Sequence, residues 1–368
     1  MERIKAIYRV ESDAAGIASR AEAIAFEQSV EVPRAAIFSQ WVLDNILARV
    51  EDIEPMPDGA FKVTIALATE TTAFEPGQLM SMLYGNISLA DDVQILDAEF
   101  PAELVAAFAG PRHGIEGIRK ACNAHGRPLT CSALKPQGLD NDALAKLAYT
   151  FALAGVDMIK DDHGIMDQSY SRFAERVPKV QAAVNRANRE TGGSTVYAPS
   201  LYGSPSKLIE SCRIVREEGV GAAMLIPMII GLPTFHEIAG GHLQVPVLAH
   251  PGFGGAQRIA PPLLFGKLFR LLGADAIIFV NHHGRFAWPR EVCETVGETM
   301  RAPLGALKPA LPVPAGGMTL DRVDDMKASY GEDAMFLIGG GLLTAGDQLL
   351  ERCREFVAMV ARKEEATI

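Results

Sequence analysis

Short apolar runs alternate with helical patterns from residue 129 onward, and this alternation constrains the fold more than any other feature. Eight apolar runs predict strands at 129–136, 157–162, 195–201, 222–228, 245–251, 276–281, 310–317 and 334–341. Helical patterns follow nearly all of them, at 141–154, 170–189, 206–218, 263–272, 290–301, 320–329 and 345–362. Apolar strands joined by helical crossovers form parallel sheets that are buried on both faces. Eight such units predict an α/β fold of the (β/α)8 TIM barrel type.

An open, doubly wound sheet is the structural alternative to the barrel. Such sheets rarely contain eight regular strand–helix units, and many carry a GxGxxG loop after the first strand. No GxGxxG sequence follows the first predicted strand of this chain, so the closed barrel is favoured.

Residues 1–110 show a different pattern, in which strands and helices are mixed. Strand-like segments are KAIYRVE, FKVTIALAT and VQILDAEF, and helix-like segments are AAGIASRAEAIAFEQ, GQLMSMLYG and AELVAAF. This mixture predicts a small N-terminal α+β domain of the ferredoxin-like type. The segment GPRHGIEG at 110–117 predicts a linker, so we expect one domain at 1–110 and the barrel at 111–368.

Composition limits the class of protein. The 368 residues carry a net charge of −10, which argues against a nucleic-acid-binding surface. No apolar run reaches the roughly 18 residues that a membrane span needs. The five cysteines are scattered and lack metal-ligand spacing, which is typical of reduced thiols in a cytoplasmic protein.

Charged side chains and glycines follow the predicted barrel strands at their C-terminal ends, where parallel barrels carry their active sites. These residues are Lys135, Lys160, Asp161, Asp162, His163, His250, His282, His283, Arg285, Gly316, Gly317, Gly339 and Gly340. The four glycines follow the last two strands. Loops at these places commonly bind phosphate through backbone N–H groups, although tight turns without a ligand are the alternative.

Lys160 and Asp162 indicate a metal site. On a strand their side chains point the same way, and that of Asp161 points the other way. Carboxylates suit Mg²⁺, whereas a lysine can serve there only if neutral, or if CO₂ converts it to an anionic carbamate. A solvated ion pair is the alternative.

Lys135 is a candidate general base, because a nearby cation would lower its pKa. A lysine that pairs with phosphate or carboxylate is equally compatible with the sequence. His250 fits a proton relay or substrate contact, or a core histidine with satisfied hydrogen bonds. Arg285 lies in a glycine-containing loop that could close over a phosphate.

Several motifs together resemble the large chain of RuBisCO, and specifically the RuBisCO-like proteins, over nearly the whole chain. The matching segments are LKP at 134–136, GVDMIKDDH at 155–163, AEAIAFEQS at 21–29, YGN at 84–86, PAGG at 314–317 and IGGG at 338–341. They are similar to the family motifs IKP, GLDFTKDDE, AAAIAAESS, FGN, SGG and FGGG. Each motif alone is weak evidence, but the combination is specific.

The resemblance implies a role for each matched residue. Lys135 matches the catalytic base, Lys160 matches the lysine that becomes a carbamate ligand of Mg²⁺, and Asp162 matches a second metal ligand. Glu27 and Asn86 match residues that reach across a two-fold axis into the neighbouring barrel. We therefore expect a homodimer with active sites shared across the interface.

Departures from the family pattern argue against carboxylation. His163 stands where the family usually has glutamate, and because Mg²⁺ prefers oxygen ligands, direct ligation by His163 is not favoured. Arg285 replaces the mobile-loop lysine that holds CO₂. Gln137 replaces a second active-site lysine, and Pro251 and Gly254 replace an arginine and a histidine near the second phosphate of the bisphosphate. Further replacements are Ile278 for a histidine, Ala315 for a serine, and Val32 with Pro33 for a Thr-Trp pair. One phosphate site is expected to remain.

The chemistry that remains is Mg²⁺-dependent enolisation of a phosphorylated ketose. One branch of RuBisCO-like proteins isomerises 5-methylthioribulose 1-phosphate to 1-methylthioxylulose 5-phosphate by a 1,3-proton transfer. A second enolises 2,3-diketo-5-methylthiopentyl-1-phosphate but carries lysine at the position of Asn86. A third decarboxylates or hydrolyses 3-oxo-isoapionate 4-phosphate and tends to be longer. The isomerase branch is therefore favoured, and an apolar lining from Ile278, Phe286 and Trp288 would suit a methylthio group.

Two interpretations from other classes stay open, a sensor that binds a phosphorylated ligand and a scaffolding homologue. Neither needs a base or a metal, so Lys135, Lys160 and Asp162 argue against both. The Lys160→Ala variant separates them from the enzyme, because unchanged activity or metal binding would contradict the carbamate hypothesis.

Overall fold

The structure, a computed structural model, describes residues 2–286 and 288–362. Its N-terminal part is one four-stranded sheet covered by helices. The strands are β1 (Arg3–Val10), β2 (Arg49–Pro55), β3 (Phe61–Ala68) and β4 (Val93–Glu99). Their order is β2-β3-β1-β4, and every neighbouring pair is antiparallel. This order is that of the ferredoxin-like fold, as predicted.

Helices connect and flank these strands. They are α1 (Ile17–Glu27), α2 (Gln40–Asn45), α3 (Pro76–Tyr84) and α4 (Ala102–Ala107), with short 3₁₀ turns at Arg34–Ala36, Thr69–Thr72 and Asn86–Leu89. Strand β2 and helix α2 were not predicted. The residues of β2 are exposed or half-buried, so its sequence lacks the alternation that reveals a strand.

The predicted linker at 110–117 is only partly a connection. Helix α5 (Gly114–Cys122) begins within it. The backbone N–H groups of His113 and Gly114 both donate to Oδ1 of Asp275 at 2.6 Å, which ties this helix start to the barrel. The second half of the predicted linker is therefore helical, whereas the domain limit near residue 110 stays a prediction.

All eight predicted barrel strands are present and shorter than predicted. They are β5 (Leu129–Leu134), β6 (Met158–Asp161), β7 (Val196–Ala198), β8 (Ala223–Leu225), β9 (Val247–Ala249), β10 (Ala276–Val280), β11 (Leu311–Ala315) and β12 (Met335–Leu337). They form two parallel sheets, β12-β5-β6-β7 and β8-β9-β10-β11. A parallel bridge between Ser200 and Met224 joins the sheets at one seam, and β11 lies beside β12 at the other. The predicted TIM barrel is confirmed.

Helical segments cover the outside of the barrel at the predicted places. The α-helices are α6 (Asn141–Leu153), α7 (Phe173–Thr191), α8 (Pro205–Glu217), α9 (Pro227–Ile230), α10 (Leu232–Glu237), α11 (Phe269–Leu271), α12 (Arg290–Arg301), α13 (Val323–Tyr330), α14 (Gly340–Leu343) and α15 (Leu349–Ala361). The segments Ile238–His242 and Pro262–Leu268 are π-helical, and 3₁₀ turns lie at Gly254–Ala256, Leu320–Arg322 and Gly346–Gln348. None of the described helices combines the length and apolar character that a membrane span requires.

Strand alternation decides which side chains enter the barrel. Leu129, Cys131 and Met158 belong to the apolar cluster of the interior, whereas Ile159 belongs to the cluster outside it. Because side chains two residues apart share a face, Lys160 points inward after Met158. The fold therefore delivers a buried lysine to the C-terminal end of the barrel.

Candidate active site

A cavity of about 390 Å³ opens at the C-terminal ends of the barrel strands. Its walls include seven of the residues predicted from sequence, namely Lys135, Lys160, Asp162, His163, His250, Arg285 and Gly316. Five further predicted residues are not among its lining residues: Glu27, Asn86, Gly317, Gly339 and Gly340. The charged barrel residues thus share one cavity, and the two N-terminal residues lie apart from it.

Lys160 reaches the cavity from the middle of a buried sheet. Its neighbours across the adjacent strands are Ala133 and Ala198, which are small enough to leave room for its long side chain. The residue is only 3% exposed, and Nζ donates to the carbonyl oxygen of Asp161 at 2.9 Å. Burial lowers the pKa of Lys160 from its usual value, against the opposing effect of the Asp162 carboxylate.

The Asp161 side chain points away from the cavity, and buried groups on the outer face of the barrel sheet hold it in place. Its carboxylate is fully buried and lies 3.3 Å from the equally buried guanidinium of Arg176. The hydroxyl of Tyr197 and the backbone N–H of Ser200 also donate to it, at 2.8 and 3.1 Å. Burial raises the pKa of Asp161 even so, with the charge of Arg176 opposing the rise. Asp161 therefore supports the strand end that carries its neighbours Lys160 and Asp162.

Asp162 is the negative centre of the cavity. Its Oδ1 atom lies 2.8 Å from Nζ of Lys135 and 3.3 Å from Nδ1 of His163. Burial would raise the pKa of this carboxyl group, but hydrogen bonds from His163 and Lys135 and the charge of Lys160 hold it well below its usual range. Asp162 is therefore an ionised carboxylate that gathers three nitrogen-bearing side chains around it.

His163 and His250 stack on each other, with ring centroids 4.6 Å apart and planes inclined by 15°. The backbone N–H of Gly252 donates to Nδ1 of His250 at 3.1 Å, which leaves the hydrogen of the neutral ring on Nε2. Burial, together with the charge of Lys160, lowers the pKa of His250 well below its usual value. The hydroxyl of Tyr202 donates to the carbonyl oxygen of His163 and fixes the backbone of that residue.

The two glycine loops lie beside the charged groups. Gly316 and Gly317 have φ angles of +98° and +94°, in the left-handed region that favours glycine. The backbone N–H of Arg285 donates to the carbonyl oxygen of Gly316 at 2.7 Å, and a Cβ on Gly317 would lie 2.6 Å from Cγ of Arg285. On the neighbouring strand, a Cβ on Gly339 would lie 3.7 Å from Cε of Lys135. Gly317 therefore lets Arg285 lie close to the backbone, whereas a side chain at Gly339 would make only an ordinary van der Waals contact with Lys135.

Much of the remaining cavity wall is apolar. Its apolar lining residues include Phe253, Phe265, Ile278, Phe279, Val280, Phe286, Trp288, Ala315 and Leu337. The rings of Phe265 and Trp288 lie 5.9 Å apart, and a Cβ on Gly254 would lie 2.7 Å from Cζ of Phe265. Gly254 thus makes room for the Phe265 ring. Sequence reasoning missed Phe253 and Phe265, because only the folded chain shows that they face this cavity.

Glu27 and Asn86 lie together on the surface of the N-terminal sheet domain. Nδ2 of Asn86 donates to Oε1 of Glu27 at 3.0 Å and to Oε1 of Glu31 at 3.2 Å. Gln28, next to Glu27, is buried and bonds the backbone at Met82, which holds α1 against the end of α3. The pair is therefore ordered and accessible, but it does not contribute to the cavity of its own chain.

The predicted metal ligands, Lys160, Asp162 and His163, differ in how well they suit a divalent cation. Among the described residues, no group of three or more His, Cys, Asp and Glu side chains is arranged to hold a metal ion. The predicted set contains only Asp162 and His163 of these types, and its third member is a modified Lys160. Burial favours the neutral amine of Lys160, which is the form that reacts with CO₂. An ionised carboxylate and a carbamate within one cavity would fit Mg²⁺.

Comparison with known proteins identifies the family. The model of the ribulose bisphosphate carboxylase large chain, catalytic domain, matches residues 114–347. Ribulose bisphosphate carboxylase-like protein 1 of Rhodopseudomonas palustris is 52% identical over 98% of both chains. The 5-methylthioribulose-1-phosphate isomerase of Rhodospirillum rubrum is 50% identical over 98% of this chain and 96% of its own.

The solved structures agree with the sequence relatives. The crystal structure of a Rubisco-like protein from Rhodopseudomonas palustris superposes with a TM-score of 0.92 at 45% identity, covering 99% of this chain and 100% of that one. The chain therefore belongs to the RuBisCO large-chain family, and the resemblance found in its motifs is confirmed.

Proposed function

We propose that this member of the RuBisCO large-chain family isomerises 5-methylthioribulose 1-phosphate to 1-methylthioxylulose 5-phosphate and does not fix CO₂. The reaction moves the substrate carbonyl by two carbons through two successive enolisations, each of which removes a hydrogen from the carbon next to the carbonyl and returns one to the former carbonyl carbon. No atom is gained or lost. The relative from Rhodospirillum rubrum that bears the name of this activity is 50% identical to the chain, which supports the choice of substrate.

One observation carries the proposal. A single cavity joins Lys135, Lys160 and Asp162 to a wall of aromatic and aliphatic side chains. A bisphosphate needs a cluster of cationic groups at each end, whereas this wall contains Phe265, Trp288 and other apolar residues. An apolar tail gains about 0.8 kcal/mol for each buried methylene-sized group in such a place. The cavity therefore suits a monophosphate with an apolar end.

The side chains divide the chemistry between them. Lys135 acts as the base that removes a proton from the carbon next to the carbonyl. His250, neutral and with its hydrogen on Nε2, donates a hydrogen bond to an oxygen of the resulting enediolate. Gly316, Gly317, Gly339 and Gly340 bind the phosphate through backbone N–H groups, and the Arg285 guanidinium adds positive charge there.

Lys160, Asp162 and, more weakly, His163 are the residues that would hold Mg²⁺. The amine nitrogen of Lys160 bonds to the carbon of CO₂ and releases a proton, which leaves an anionic carbamate. A bound ion would supply Lewis-acid polarisation of the substrate carbonyl. With Asp162 engaged in this way, its 2.8 Å contact with Nζ of Lys135 would weaken, which would favour the neutral amine that a base requires.

We also propose that the active unit is a homodimer. Glu27 and Asn86 are ordered and accessible but lie apart from the cavity of their own chain. Large apolar side chains are exposed on the same domain, with Phe38 94% exposed and Leu89 83% exposed. Exposed apolar groups beside accessible polar ones are typical of an interface between protein chains. In a dimer, Glu27 and Asn86 complete the partner's cavity.

Proton NMR in D₂O tests the proposed activity on 5-methylthioribulose 1-phosphate, with Mg²⁺ and bicarbonate present. The expected result is the appearance of 1-methylthioxylulose 5-phosphate signals. Deuterium uptake next to the carbonyl without a new product would mean that the enolising groups work on another substrate, such as the diketo compound of the enolase branch. The absence of both would contradict the proposal.

Two variants serve as matched controls for this assay. Lys135→Met removes the proposed base and should slow both product formation and deuterium uptake by about 10²–10⁴-fold. Lys179→Met removes an exposed lysine that pairs with Asp142 on the barrel surface, and it should leave both unchanged. Equal activities of the two variants would contradict the role of Lys135.

A further inference from the structure

Phe253 combines a large apolar ring with a backbone conformation that bulky residues rarely adopt. Its φ angle is +67°, in the left-handed region that favours glycine. The residue lines the cavity and is nevertheless 63% exposed. Within residues 2–286 and 288–362 it belongs neither to the hydrophobic core nor to the residues that pack against it. The core of its own chain therefore offsets neither the backbone strain nor the exposure of the ring.

The residues on both sides of Phe253 fix this conformation. The backbone N–H of Gly252 donates to Nδ1 of His250 at 3.1 Å, and that of Gly254 donates to the carbonyl oxygen of Pro251 at 2.9 Å. A Cβ on Gly252 would lie only 3.2 Å from Nδ1 of His250, so this side of the turn is tightly packed. Strained conformations that the surrounding structure enforces cluster at active sites and ligand clamps. The turn therefore holds the Phe253 ring at the cavity mouth.

The place of Phe253 in the barrel indicates which end of a ligand its ring meets. Phe253 follows strand β9, which lies across the closed barrel from β5 and β12. The glycine loop at Gly339, which is proposed to bind phosphate, follows β12. A phosphorylated ligand that spans the cavity from that loop extends its other end toward Phe253. Phe265 and Trp288 belong to the same cavity wall, with their rings 5.9 Å apart.

We propose that Phe253 determines substrate specificity by covering the apolar end of a bound phosphate monoester, so that ligands with a methylthio or alkyl group opposite the phosphate are preferred. The inference rests on the proposed function of the same cavity and names the residue that recognises the tail. Transfer of two methylene-sized groups from water into apolar surroundings changes affinity roughly tenfold. Because the ring stands at the open side of the cavity, its removal exposes the tail to water and leaves the contacts of the phosphate unchanged.

Isothermal titration calorimetry with 5-methylthioribitol 1-phosphate and 5-deoxyribitol 1-phosphate, in the presence of Mg²⁺ and bicarbonate, tests the inference. The two polyols differ only in the methylthio group, and neither contains a carbonyl that could be enolised. The wild-type protein should bind the methylthio compound about tenfold more tightly. Phe253→Ala should reduce this ratio to about threefold or less, with affinity for the deoxy compound changed by less than about twofold.

Three further variants separate the ring from the fold of the turn. Phe253→Gly adopts the positive φ without strain, so it should fold normally and show the same lowered ratio. Phe253→Leu keeps an apolar cover and should retain a ratio above that of Phe253→Ala. Ile209→Ala is the matched control, because it removes an apolar side chain that is 43% exposed on α8, and it should keep the wild-type ratio.

A wild-type ratio near one, or a Phe253→Ala ratio equal to that of the wild type, would overturn the inference. Loss of the dimer on size exclusion in Phe253→Ala with an unchanged ratio would also overturn it, since the ring would then belong to an interface between chains. Because the polyols do not react, a protein that prefers the methylthio compound but fails as an isomerase contradicts only the proposed reaction. An active isomerase whose preference survives Phe253→Ala contradicts only the role of Phe253.

Discussion

Removal of the Arg176 guanidinium should destabilise the fold strongly, although Arg176 does not line the cavity. Arg176 and Asp161 are both completely buried, 3.3 Å apart. In Arg176→Met the Asp161 carboxylate keeps the hydroxyl of Tyr197 and the N–H of Ser200 but loses its counter-charge. An ion pair of this kind is costly to break because one charge stays buried without compensation.

The size of the effect follows from the contacts. Loss of one partner of a buried pair costs about 3–5 kcal/mol. Arg176 also donates to the carbonyl oxygens of Ser171 and Met166, at 2.8 and 2.7 Å, so the upper end of that range applies. With an unfolding entropy of about 2.1 cal/mol/K per residue over 368 residues, a loss of about 4–5 kcal/mol lowers the Tm by about 5–6 °C.

Thermal and urea unfolding of four variants measure the change in stability and test this prediction. Asp161→Asn combined with Arg176→Met removes both charges and should recover about half of the loss, since the bonds of Arg176 to the two carbonyl oxygens and to the Ser171 hydroxyl stay broken. The matched control is Arg213→Ala, which breaks an exposed pair with Glu217 on one helix and should change stability by less than about 0.5 kcal/mol. Asp161→Asn alone completes the cycle.

The pH dependence of Arg176→Met gives an independent check. Without the guanidinium, burial raises the pKa of the Asp161 carboxyl in the folded state further above its value in the unfolded chain. The folded protein then binds a proton that the unfolded chain does not, so stability is lost as pH rises and regained as pH falls. A deficit that does not shrink toward low pH, or an Arg176→Met variant as stable as Arg213→Ala, would refute the reasoning.

Four further results are expected. ¹³C NMR with labelled bicarbonate should show a carbamate carbon that is lost in Lys160→Ala; a wild-type spectrum without it would contradict the carbamate hypothesis. Lys135→Met should slow deuterium exchange by about 10²–10⁴-fold while Mn²⁺ binding persists, and a normal exchange rate would exclude Lys135 as the base. A re-associated mixture of inactive Glu27→Gln and Lys135→Met chains should regain about a quarter of wild-type activity, since half of the dimers carry one intact site; no recovery would contradict a shared site. Gly316→Ala should raise KM about tenfold through strain at its φ of +98°, and an unchanged KM would argue against phosphate binding there.

Local periodicity accounts for what the sequence could predict. The eight barrel strands are short buried segments, so their apolar runs were recognisable, and the two-residue period of a strand placed Lys160 inward and Asp161 outward. These predictions depend only on neighbours along the chain. Strand β2 was missed for the same reason, because it is largely exposed and has no apolar run.

The rest of the site depends on contacts between distant segments. Phe265 lies in a π-helical turn, and its place in the cavity wall requires Gly254, whose Cβ would otherwise lie 2.7 Å from the ring. Tyr202 binds the carbonyl oxygen of His163 from another strand end. No pattern along the sequence connects these pairs. These two contacts form only in the folded chain, where the strand ends lie side by side.

Different strand ends contribute different parts of the cavity wall. Lys160 lies on β6, and Lys135 and Asp162 directly follow β5 and β6; these are the residues to which the proposed function assigns proton removal and metal binding. The segments after β9 and within β10 supply apolar residues such as Phe253 and Ile278. Because each group is anchored by its own rigid strand, an exchange at Ile278 alters what the cavity accepts without moving the lysines. Under the proposed function, we therefore expect substitutions at Ile278 to change substrate preference while proton abstraction by Lys135 persists.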